Sequence, residues 1–333
     1  MAITFSGGIH VDGCKGTNKK PIEDMPAPEF IALPLQQHIG APVKAIVAKG
    51  DTVGMGQVIA RNDAALSCPV HASVSGTVER IETRNSYMGA GKTEFVVIKN
   101  DGEYRLCEDI KPYEKKITEI TCDEVVNLVR EAGISGMGGA TFPAYAKIQS
   151  AAGKAKEIIV NCAECEPFIT ANHRLLLERP MDVINGVKIL LIALGLKKAT
   201  FAIEDNKKNA AKVLEELVSD DEMFSVKLLK TKYPQGDERQ IVYALNGVEI
   251  RRCRLCYLQR RDLRGGLSRR GRGHAADCPH RDDRRRLYRR AEEPSYSARN
   301  LLPRCHRILR RYQGRAFQDH QRRSHDGRGA VGS

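Results

Sequence analysis

The chain has 333 residues, with 54 Lys and Arg against 41 Asp and Glu, 10 Cys and no Trp. This length allows two or three domains with cores of their own. The longest apolar run, at 189–196, is far shorter than the roughly 18 residues of a membrane span. The first residues lack the pattern of a secretory signal, so the cysteines are expected to be reduced thiols, metal ligands or redox groups. These features predict an intracellular chain that is soluble or at most peripheral to a membrane.

Residues 1–30 are punctuated by Gly and Pro and are expected to lie extended over the next unit. Short β-type runs then fill 31–105, separated by Gly-Asp, Gly-Met-Gly and Asn-Asp turns, which predicts a small all-β barrel or sandwich. The pattern K-G-D-x-V-x-x-G-Q followed by S-G-T-V resembles the hammerhead of lipoyl and biotinyl carriers. The corresponding stretch, H-A-S-V-S-G, has no Lys to hold a prosthetic group, so a structural module is favoured over a carrier. His71 in this stretch is expected to be a packed histidine.

From residue 121 the hydrophobic period becomes helical, and buried strands then alternate with helices. The apolar strand K-E-I-I-V-N-C-A-E is followed by a helix at 179–196, a strand at 198–206, a helix at 208–219, a strand at 224–233 and a helix at 237–247. Alternating apolar strands and helices predict a parallel, doubly wound α/β domain over 115–250.

A glycine-rich segment, G-I-S-G-M-G-G-A-T-F-P-A-Y-A-K, is the first candidate site. Glycines at 136, 138 and 139 let backbone amides approach an anionic or planar ligand. Phe142 can stack on an aromatic ring, and Lys147 supplies a positive charge for a phosphate. A tight turn explains the same glycines equally well. The segment follows a helix rather than a strand, so it fails the dinucleotide-binding fingerprint.

The segment V-N-C-A-E-C-E-P-F-I-T-A-N-H-R follows a predicted strand, where ligands of open α/β sheets bind. Asn161 can make paired hydrogen bonds to a flavin or nicotinamide edge, and the carboxylates of Glu164 and Glu166 can bind ribose hydroxyls. Cys162 and Cys165 form a C-x-x-C pair that invites a redox interpretation. The pair lacks a thioredoxin-like context, so incidental cysteines are favoured.

The third candidate segment is Y-P-Q-G-D-E-R-Q, which begins at Tyr233. Gly236 ends a loop there, and Asp237 and Glu238 begin a helix. The simpler interpretation is that these two acidic residues stabilise the N-terminus of the helix.

The composition changes sharply at residue 250. Residues 1–250 contain 30 basic and 33 acidic residues, whereas 251–333 contain 24 Arg, no Lys and 8 acidic residues. An Arg-rich nucleic-acid-binding arm is one interpretation, although such an arm is expected to carry Lys as well. A zinc module built on Cys253 and Cys256 is a second, but the later cysteine spacings fit no closed zinc pattern. The third is that the DNA of this segment is translated out of frame.

The genetic code allows the out-of-frame interpretation to be tested on paper. With suitable synonymous codons, G-R-G-H-A-A-D-C-P-H-R-D at 271–282 reads A-V-G-M-P-L-T-A-R-I-V-T one base later. The stretch at 317–329 similarly reads S-K-I-I-S-G-G-P-M-M-G-A, and 287–307 reads as ordinary protein sequence in the same frame. Because three consecutive segments agree, 251–333 is interpreted as a frameshifted tail and is expected to be disordered.

The three candidate segments together resemble the flavin-binding subunit of respiratory complex I, whose loop reads G-x-G-x-G-G-A-x-F-P…K. The closer resemblance is to the RnfC family, the C-type component of the Rnf ion-translocating electron transport complex. It is carried by F-S-G-G-I-H, L-P-L-Q-Q-H-I-G-A-P, V-H-A-S-V-S-G-T-V, N-C-A-E-C-E-P-F-I-T-A-N-H-R-L-L and Y-P-Q-G-D-E-R-Q, and covers 1–250. It implies a barrel-sandwich hybrid domain followed by a flavin-binding α/β domain that is incomplete at its C-terminal side.

The resemblance further implies an NADH-oxidising enzyme subunit that passes hydride to FMN and electrons through [4Fe-4S] clusters to membrane partners. It places the protein peripherally on the cytoplasmic face of the plasma membrane, bound to the other subunits of the complex and to NADH, with no specific nucleic acid. The cluster motif C-x-x-C-x-x-C-x-x-x-C-P is absent from this chain, so clusters are not expected here. By the resemblance, flavin is held by Gly136, Gly138, Gly139, Lys147, Asn161 and Glu164, nicotinamide nucleotide is faced by Phe142 and Glu166, and the pocket is completed by Tyr233, Gly236 and Glu238.

Four positions depart from the complex I pattern: Met137 replaces an Arg, Thr141 a Gly, Ala163 an acidic residue, and Asp237 a Glu. Two other function classes compete with the electron-transfer subunit. They are a nucleic-acid-binding protein that uses the Arg-rich tail, and a non-catalytic scaffold built on the 31–105 module.

Overall fold

The computed structural model describes residues 2–86, 91–110, 115–137 and 141–248, and the backbone of 256–259. The first domain is all-β and consists of two antiparallel sheets with strand orders β1-β7-β6-β3 and β2-β4-β5. Its core is apolar, and Val78, Val96 and Ile98 are completely buried. This architecture confirms the predicted barrel-sandwich module. Its strands are β1 Phe30–Pro34, β2 Lys44–Ala45, β3 Thr52–Val53, β4 Val58–Arg61, β5 Val70–His71, β6 Gly76–Asn85 and β7 Lys92–Asn100.

Gly76 in the S-G-T-V motif is required by the close approach of β6 and β7. It has a φ of +152°, and a Cβ at this position would collide with the backbone carbonyl of Lys99. The hairpin of β6 and β7 carries a register shift between Val78 and Arg80. The motif shared with carrier domains therefore serves strand pairing here.

The second domain is a four-stranded parallel sheet flanked by helices, as the alternation of strand and helix patterns predicts. The strand order is β10-β9-β8-β11. The strands are β8 Ile158–Asn161, β9 Ala199–Glu204, β10 Phe224–Leu229 and β11 Cys256–Gln259, and the helices are α1 Cys122–Glu131, α2 Ala144–Ala151, α3 Ala171–Glu178, α4 Pro180–Leu194, α5 Lys208–Leu217 and α6 Glu238–Asn246.

The helices cover both faces of this sheet. Ile158, Val160 and Phe201 belong to the apolar cluster that includes residues of α3, α4 and α5, whereas Ile159 and Ala202 belong to the cluster that includes α6. The chain passes from β8 to β9 to β10 in one direction and then crosses to the opposite side of β8 for β11. The direction of winding thus reverses between β8 and β11. Ligands of such sheets bind beyond the carboxyl ends of the strands at this switch point.

Local signals in the sequence set the ends of several helices. Thr121 caps α1 in a capping box with Glu124, and Gly195 and Gly247 end α4 and α6 with left-handed φ values of 64° and 67°. The single helix predicted at 179–196 is α4, which begins at Pro180 directly after α3 ends. Helix α2 lies within the glycine-rich segment and was not predicted.

The N-terminal segment lies mainly over the α/β domain, not over the β domain as the sequence suggests. Ile3 pairs with Leu229, and Ile9 pairs with Tyr233, so the segment extends along the loop after β10. Near residue 30 it reaches the β domain, where Asn100 donates to the carbonyl of Glu29. No helix among the described residues is long and apolar enough to cross a membrane.

Strand β11 lies six residues beyond the boundary at 250 that the composition suggests. It pairs in parallel with β8, from Cys256 opposite Ile158 to Gln259 opposite Asn161. The rest of the predicted tail, 251–255 and 260–333, lies outside the described residues, as do Gly138 and Gly139. The boundary at 250 and the expected disorder of the tail stay predictions.

Candidate functional site

Asn161, the last residue of β8, fastens two of the three candidate segments to each other. Its Nδ2 donates to the backbone oxygen of Gly236 at 2.8 Å, and its Oδ1 accepts from the amide of Ala163 at 3.0 Å. The side chain is 6% exposed. Asn161 thereby joins the loop after β8 to the loop that precedes α6, at the carboxyl end of the sheet.

Gly236 meets the same loop a second time, through Cys165. The Gly236 amide donates to Cys165 Sγ at 3.3 Å, and a Cβ on Gly236 would lie 3.1 Å from that sulfur. Burial raises the pKa of the Cys165 thiol to about 11. Cys162 is also buried, and neither cysteine is in a disulfide. A protonated, enclosed thiol suits packing better than redox chemistry, which agrees with the incidental cysteines expected from the sequence.

Glu164 caps helix α3 from inside the protein. Its Oε1 accepts from the amide of Asn172 at 2.5 Å and its Oε2 from the amide of His173 at 3.1 Å, and the residue is 2% exposed. The carboxylate satisfies two of the free amides at the start of α3. Its assignment to flavin stays a prediction, because the contacts described are made within the protein.

A buried ion pair lies directly below this loop. Glu204, at the end of β9, accepts through Oε2 from both the Lys207 ammonium and the amide of Glu164. The side chains of Glu204 and Lys207 are 0% and 3% exposed, so the pair is screened very little by water. Neither residue was predicted from the sequence. The end of a predicted strand was a signal that could have identified Glu204.

Lys15, in the N-terminal segment, encloses the loop from the other side. Its ammonium donates to the backbone oxygens of Glu164, Glu166 and Ile169 at 2.7–2.8 Å. Burial and the charge of Lys207 lower the pKa of Lys15. No local pattern could have identified this lysine, since it lies about 150 positions from the carbonyls that it binds.

The predicted site residues that remain accessible lie around these two loops. Glu166 and Glu238 are exposed, and Tyr233 is 40% exposed. Phe168, in the loop after β8, is 72% exposed and has a φ of +67°. These side chains can reach a ligand beyond the strand ends without breaking the bonds that hold the loops.

A buried amide lies next to Gly236. Gln235 is completely buried, and neither its Oε1 nor its Nε2 has a hydrogen-bond partner among the described residues. Buried amides in folded proteins are nearly always hydrogen-bonded, so this side chain lacks an acceptor and a donor. Gln235 was not predicted as a site residue, since a Gln inside a loop carries no recognisable signal.

The glycine-rich loop is closed on itself and leads into α2. The Gly136 amide donates to the oxygen of Phe142 at 2.8 Å, and Ser135 pairs with Pro143. Thr141, which stands where the complex I pattern has Gly, has a left-handed φ of 50°. Phe142 and Lys147 are half-buried.

The β domain holds this loop from outside. The Tyr145 hydroxyl, in the first turn of α2, donates to the oxygen of Ala65 at 2.6 Å and accepts from the amide of Ser67 at 3.2 Å. The Arg130 guanidinium lies 5.3 Å from the centre of the Tyr145 ring. At the other end of the loop, Gly133 packs against His71, which is 7% exposed. His71 is therefore a packed histidine, as predicted.

No group of three or more His, Cys, Asp or Glu side chains suited to hold a metal ion is present in the described part of the chain. The cysteines of 251–333 include Cys253, Cys278 and Cys305, which lie outside the described residues, and the side chain of Cys256 is likewise not described.

Fold and site define a class of two-domain protein, in which a barrel-sandwich hybrid precedes an α/β domain of flavin-binding type. Residues 3–103 match the family model described as the RnfC barrel sandwich hybrid domain. Residues 129–259 match the Nuo51 FMN-binding domain.

Three curated relatives each match about three quarters of this chain. The first is the RnfC-type component of a proton-translocating ferredoxin:NAD(+) oxidoreductase complex from Clostridium ljungdahlii, 41% identical over 252 residues, covering 75% of this chain and 54% of the relative. Its counterpart in the Na(+)-translocating complex of Acetobacterium woodii is 39% identical over 249 residues, covering 74% and 56%. The counterpart in an ion-translocating oxidoreductase complex of Haemophilus influenzae is 36% identical over 248 residues, covering 74% and 38%.

Over the matched residues, this chain belongs to the RnfC family of ion-translocating oxidoreductase complexes. It spans about half the length of the first two relatives. The predicted family and fold class are confirmed.

Proposed function

We propose that the α/β domain binds FMN and oxidises NADH by hydride transfer to the flavin, as part of an ion-translocating electron transport complex. The observation that carries the proposal is the bond from Asn161 to Gly236, which fastens two candidate segments together at the switch point of the sheet. The match of 129–259 to an FMN-binding domain gives the ligand its chemical class.

The residues present are suited to a flavin. Its ring edge carries alternating acceptors and a donor, and the unpartnered Gln235 amide beside Gly236 offers one donor and one acceptor. Gly236 leaves its loop without a Cβ at the point where it touches Cys165. When bound, FMN accepts two electrons with hydride and can release them one at a time.

The chain itself has to bind, orient and shield the two nucleotides. We assign phosphate and backbone contacts to Gly136, Gly138, Gly139 and Lys147, and positioning of the two loops to Asn161 and Glu164. Tyr233 and Phe142 offer rings that can stack on planar groups. The exposed carboxylates of Glu166 and Glu238 can accept hydrogen bonds from ribose hydroxyls.

Other parts of the electron path are proposed from the family alone. The relatives are named as subunits of complexes, so we propose membrane subunits of such a complex as partners and a peripheral location on its cytoplasmic face. Clusters of the [4Fe-4S] type belong to the same proposal. The printed sequence contains no C-x-x-C-x-x-C-x-x-x-C-P run to hold them. Neither matched domain model is a nucleic-acid-binding module, and the nucleic-acid alternative gains no support.

FMN binding is tested by fluorescence titration of the full chain, followed by addition of NADH under anaerobic conditions. Tyr233 and Tyr243 are 40% and 41% exposed, which makes them a matched pair. Replacing Tyr233 by Ala is expected to weaken FMN binding on the order of tenfold, because stacking on one aromatic ring is worth about 1–3 kcal/mol. The Tyr243→Ala variant should bind within about twofold of the parent. Equal affinities of the two variants, or no flavin binding and no NADH-dependent bleaching, would contradict the proposal.

We also propose that 251–333 is translated out of frame. The abrupt loss of Lys and gain of Arg supports this, together with the ordinary protein sequence that the shifted frame allows. Resequencing codons 245–260 from the source DNA is expected to show one base gained or lost. An unbroken frame would refute the frameshift and leave the arginine tail as part of the protein.

A further inference from the structure

A cavity of about 550 Å³ lies at the carboxyl end of β9, separate from the switch point between β8 and β11. It is lined by the N-terminal segment, the first turn of α3, the residues directly after β9 and the first turn of α5. Cavities of this size hold small organic ligands. Neither matched domain nor the proposed flavin contacts assign a ligand to it. The side chains used below are Lys19, His173, Arg174, Asp205, Lys208 and Asn209.

The charge of the cavity is positive and incompletely neutralised. Arg174 is paired with Glu178 at 2.6 Å. Asp205 accepts from Thr231 through Oδ1 at 2.6 and 3.0 Å, and although burial opposes them, these hydrogen bonds lower the pKa of Asp205. Lys19 and Lys208 make no hydrogen bond or ion pair among the described residues. Two free ammonium groups therefore face one carboxylate that is already occupied.

His173 is a buried polar group that lines the same cavity. It is 7% exposed, and its Nε2 lies 2.8 Å from Asn209 Oδ1. That oxygen also accepts from the Ala210 amide at 3.0 Å, so it is an acceptor and Nε2 must be the donor. The second ring nitrogen, Nδ1, has no hydrogen-bond partner among the described residues. It is a fixed ring atom to which a ligand can bind.

We propose that this cavity binds a small organic phosphate through Lys19, Lys208 and His173. Two ammonium groups match a phosphate dianion, because charge-assisted hydrogen bonds to phosphate are about twice as strong as neutral ones. The Asn209 amide holds the imidazole in place and presents its own polar edge to the hydroxyl groups of the ligand. The proposal is independent of flavin and NADH binding, since it concerns a different strand end.

The test uses calorimetric titration of the full chain with inorganic phosphate and with glycerol 3-phosphate, in the absence of flavin and NADH. The variant Lys19→Ala/Lys208→Ala is compared with Lys20→Ala/Lys212→Ala, which removes the same charge from exposed positions that do not line the cavity. Loss of the cavity lysines is expected to weaken binding on the order of tenfold or more, and the control pair should change it by less than about twofold. Equal weakening in both variants would overturn the proposal.

A second readout reports on His173 directly. Bound phosphate is expected to shift the imidazole resonances of His173 in NMR spectra and leave those of the exposed His10 unchanged. Vesicles containing phosphatidic acid form a further arm of the test. Binding of the vesicles that depends on Lys19 and Lys208, without binding of the soluble ester, would support the same site with a lipid headgroup as the source of phosphate. No binding in any arm, or unchanged His173 resonances on binding, would refute the site.

Discussion

Two loops of the α/β domain that we assign to the same flavin site are held by different means. The loop after β8 is fixed from within, by the buried pair of Glu204 and Lys207 and by the carbonyl contacts of Lys15. The glycine-rich loop is held from outside, by Tyr145 and its contacts with the β domain. The barrel-sandwich module therefore has a structural role in the second domain, since one loop depends on it and the other does not.

The largest effect is expected from removing Glu204. The Glu204→Ala variant leaves the Lys207 ammonium buried without its partner, and breaking a buried pair in this way costs about 3–5 kcal/mol. Urea unfolding followed by circular dichroism measures the loss of free energy. Glu103, whose pair with Arg105 is exposed, is the control, and its replacement by Ala should cost less than about 1 kcal/mol. Similar losses in the two variants would show that the loop after β8 is not fixed from within.

A smaller effect is expected at the contact between the domains. Tyr145→Phe removes a hydroxyl that satisfies the buried Ser67 amide, at a cost of about 1–2 kcal/mol. We also expect faster hydrogen exchange at the Ala144 amide, which donates to Ile134 at the base of the glycine-rich loop. Exchange at Phe168, in the loop after β8, should be unchanged.

The matched control for this variant is Tyr243→Phe, because that hydroxyl makes no hydrogen bond among the described residues. Its effect on stability should stay within about 0.5 kcal/mol. If exchange rises equally in both loops of the Tyr145 variant, the β domain stabilises the α/β domain as a whole and the comparison between the loops fails.

Residues close in sequence determine the features that could be predicted. Strands β8 and β9 are apolar runs that are almost fully buried, and the ends of α1 and α6 carry their own capping residues. Helix α2 was missed because its first turn follows a run of glycines and Pro143. In that run the turn signals outweigh the short helical pattern.

The candidate site was predictable at the level of segments and less so at the level of contacts. The rule that ligands bind beyond strand ends correctly identified the region of Asn161. It could not show that Glu164 caps α3, because Asn172 and His173 become its partners only when the loop folds back. Lys15 and Tyr145 act across long sequence separations, and no local pattern reports such contacts.

The smallest effect concerns pH and the loop after β8. Burial, with a contribution from the charge of Lys207, lowers the pKa of His173, against opposing contributions from Asn209, which hydrogen-bonds the ring, and from Glu164. The folded protein therefore keeps the imidazole neutral at a pH where the unfolded chain, with a pKa near 6.5, takes up a proton. Stability should be unaffected above about pH 6.5 and should fall as the pH drops from there toward the lowered pKa, by at most about 1.4 kcal/mol per pH unit.

Urea unfolding at about pH 7.5 and about pH 5.5, on either side of the ordinary histidine pKa, measures this loss. The His173→Gln variant should lose less than the parent over the same interval, whereas His10→Gln should match the parent. Exchange at the Arg174 amide, which donates to Thr170 at the start of α3, should rise in acid more than exchange at Ala144. This difference is expected because protonation of His173 places a charge inside the network around the loop after β8, while the glycine-rich loop is held by neutral contacts. An acid-induced rise of equal size at the two amides would mean that both loops share one source of stability.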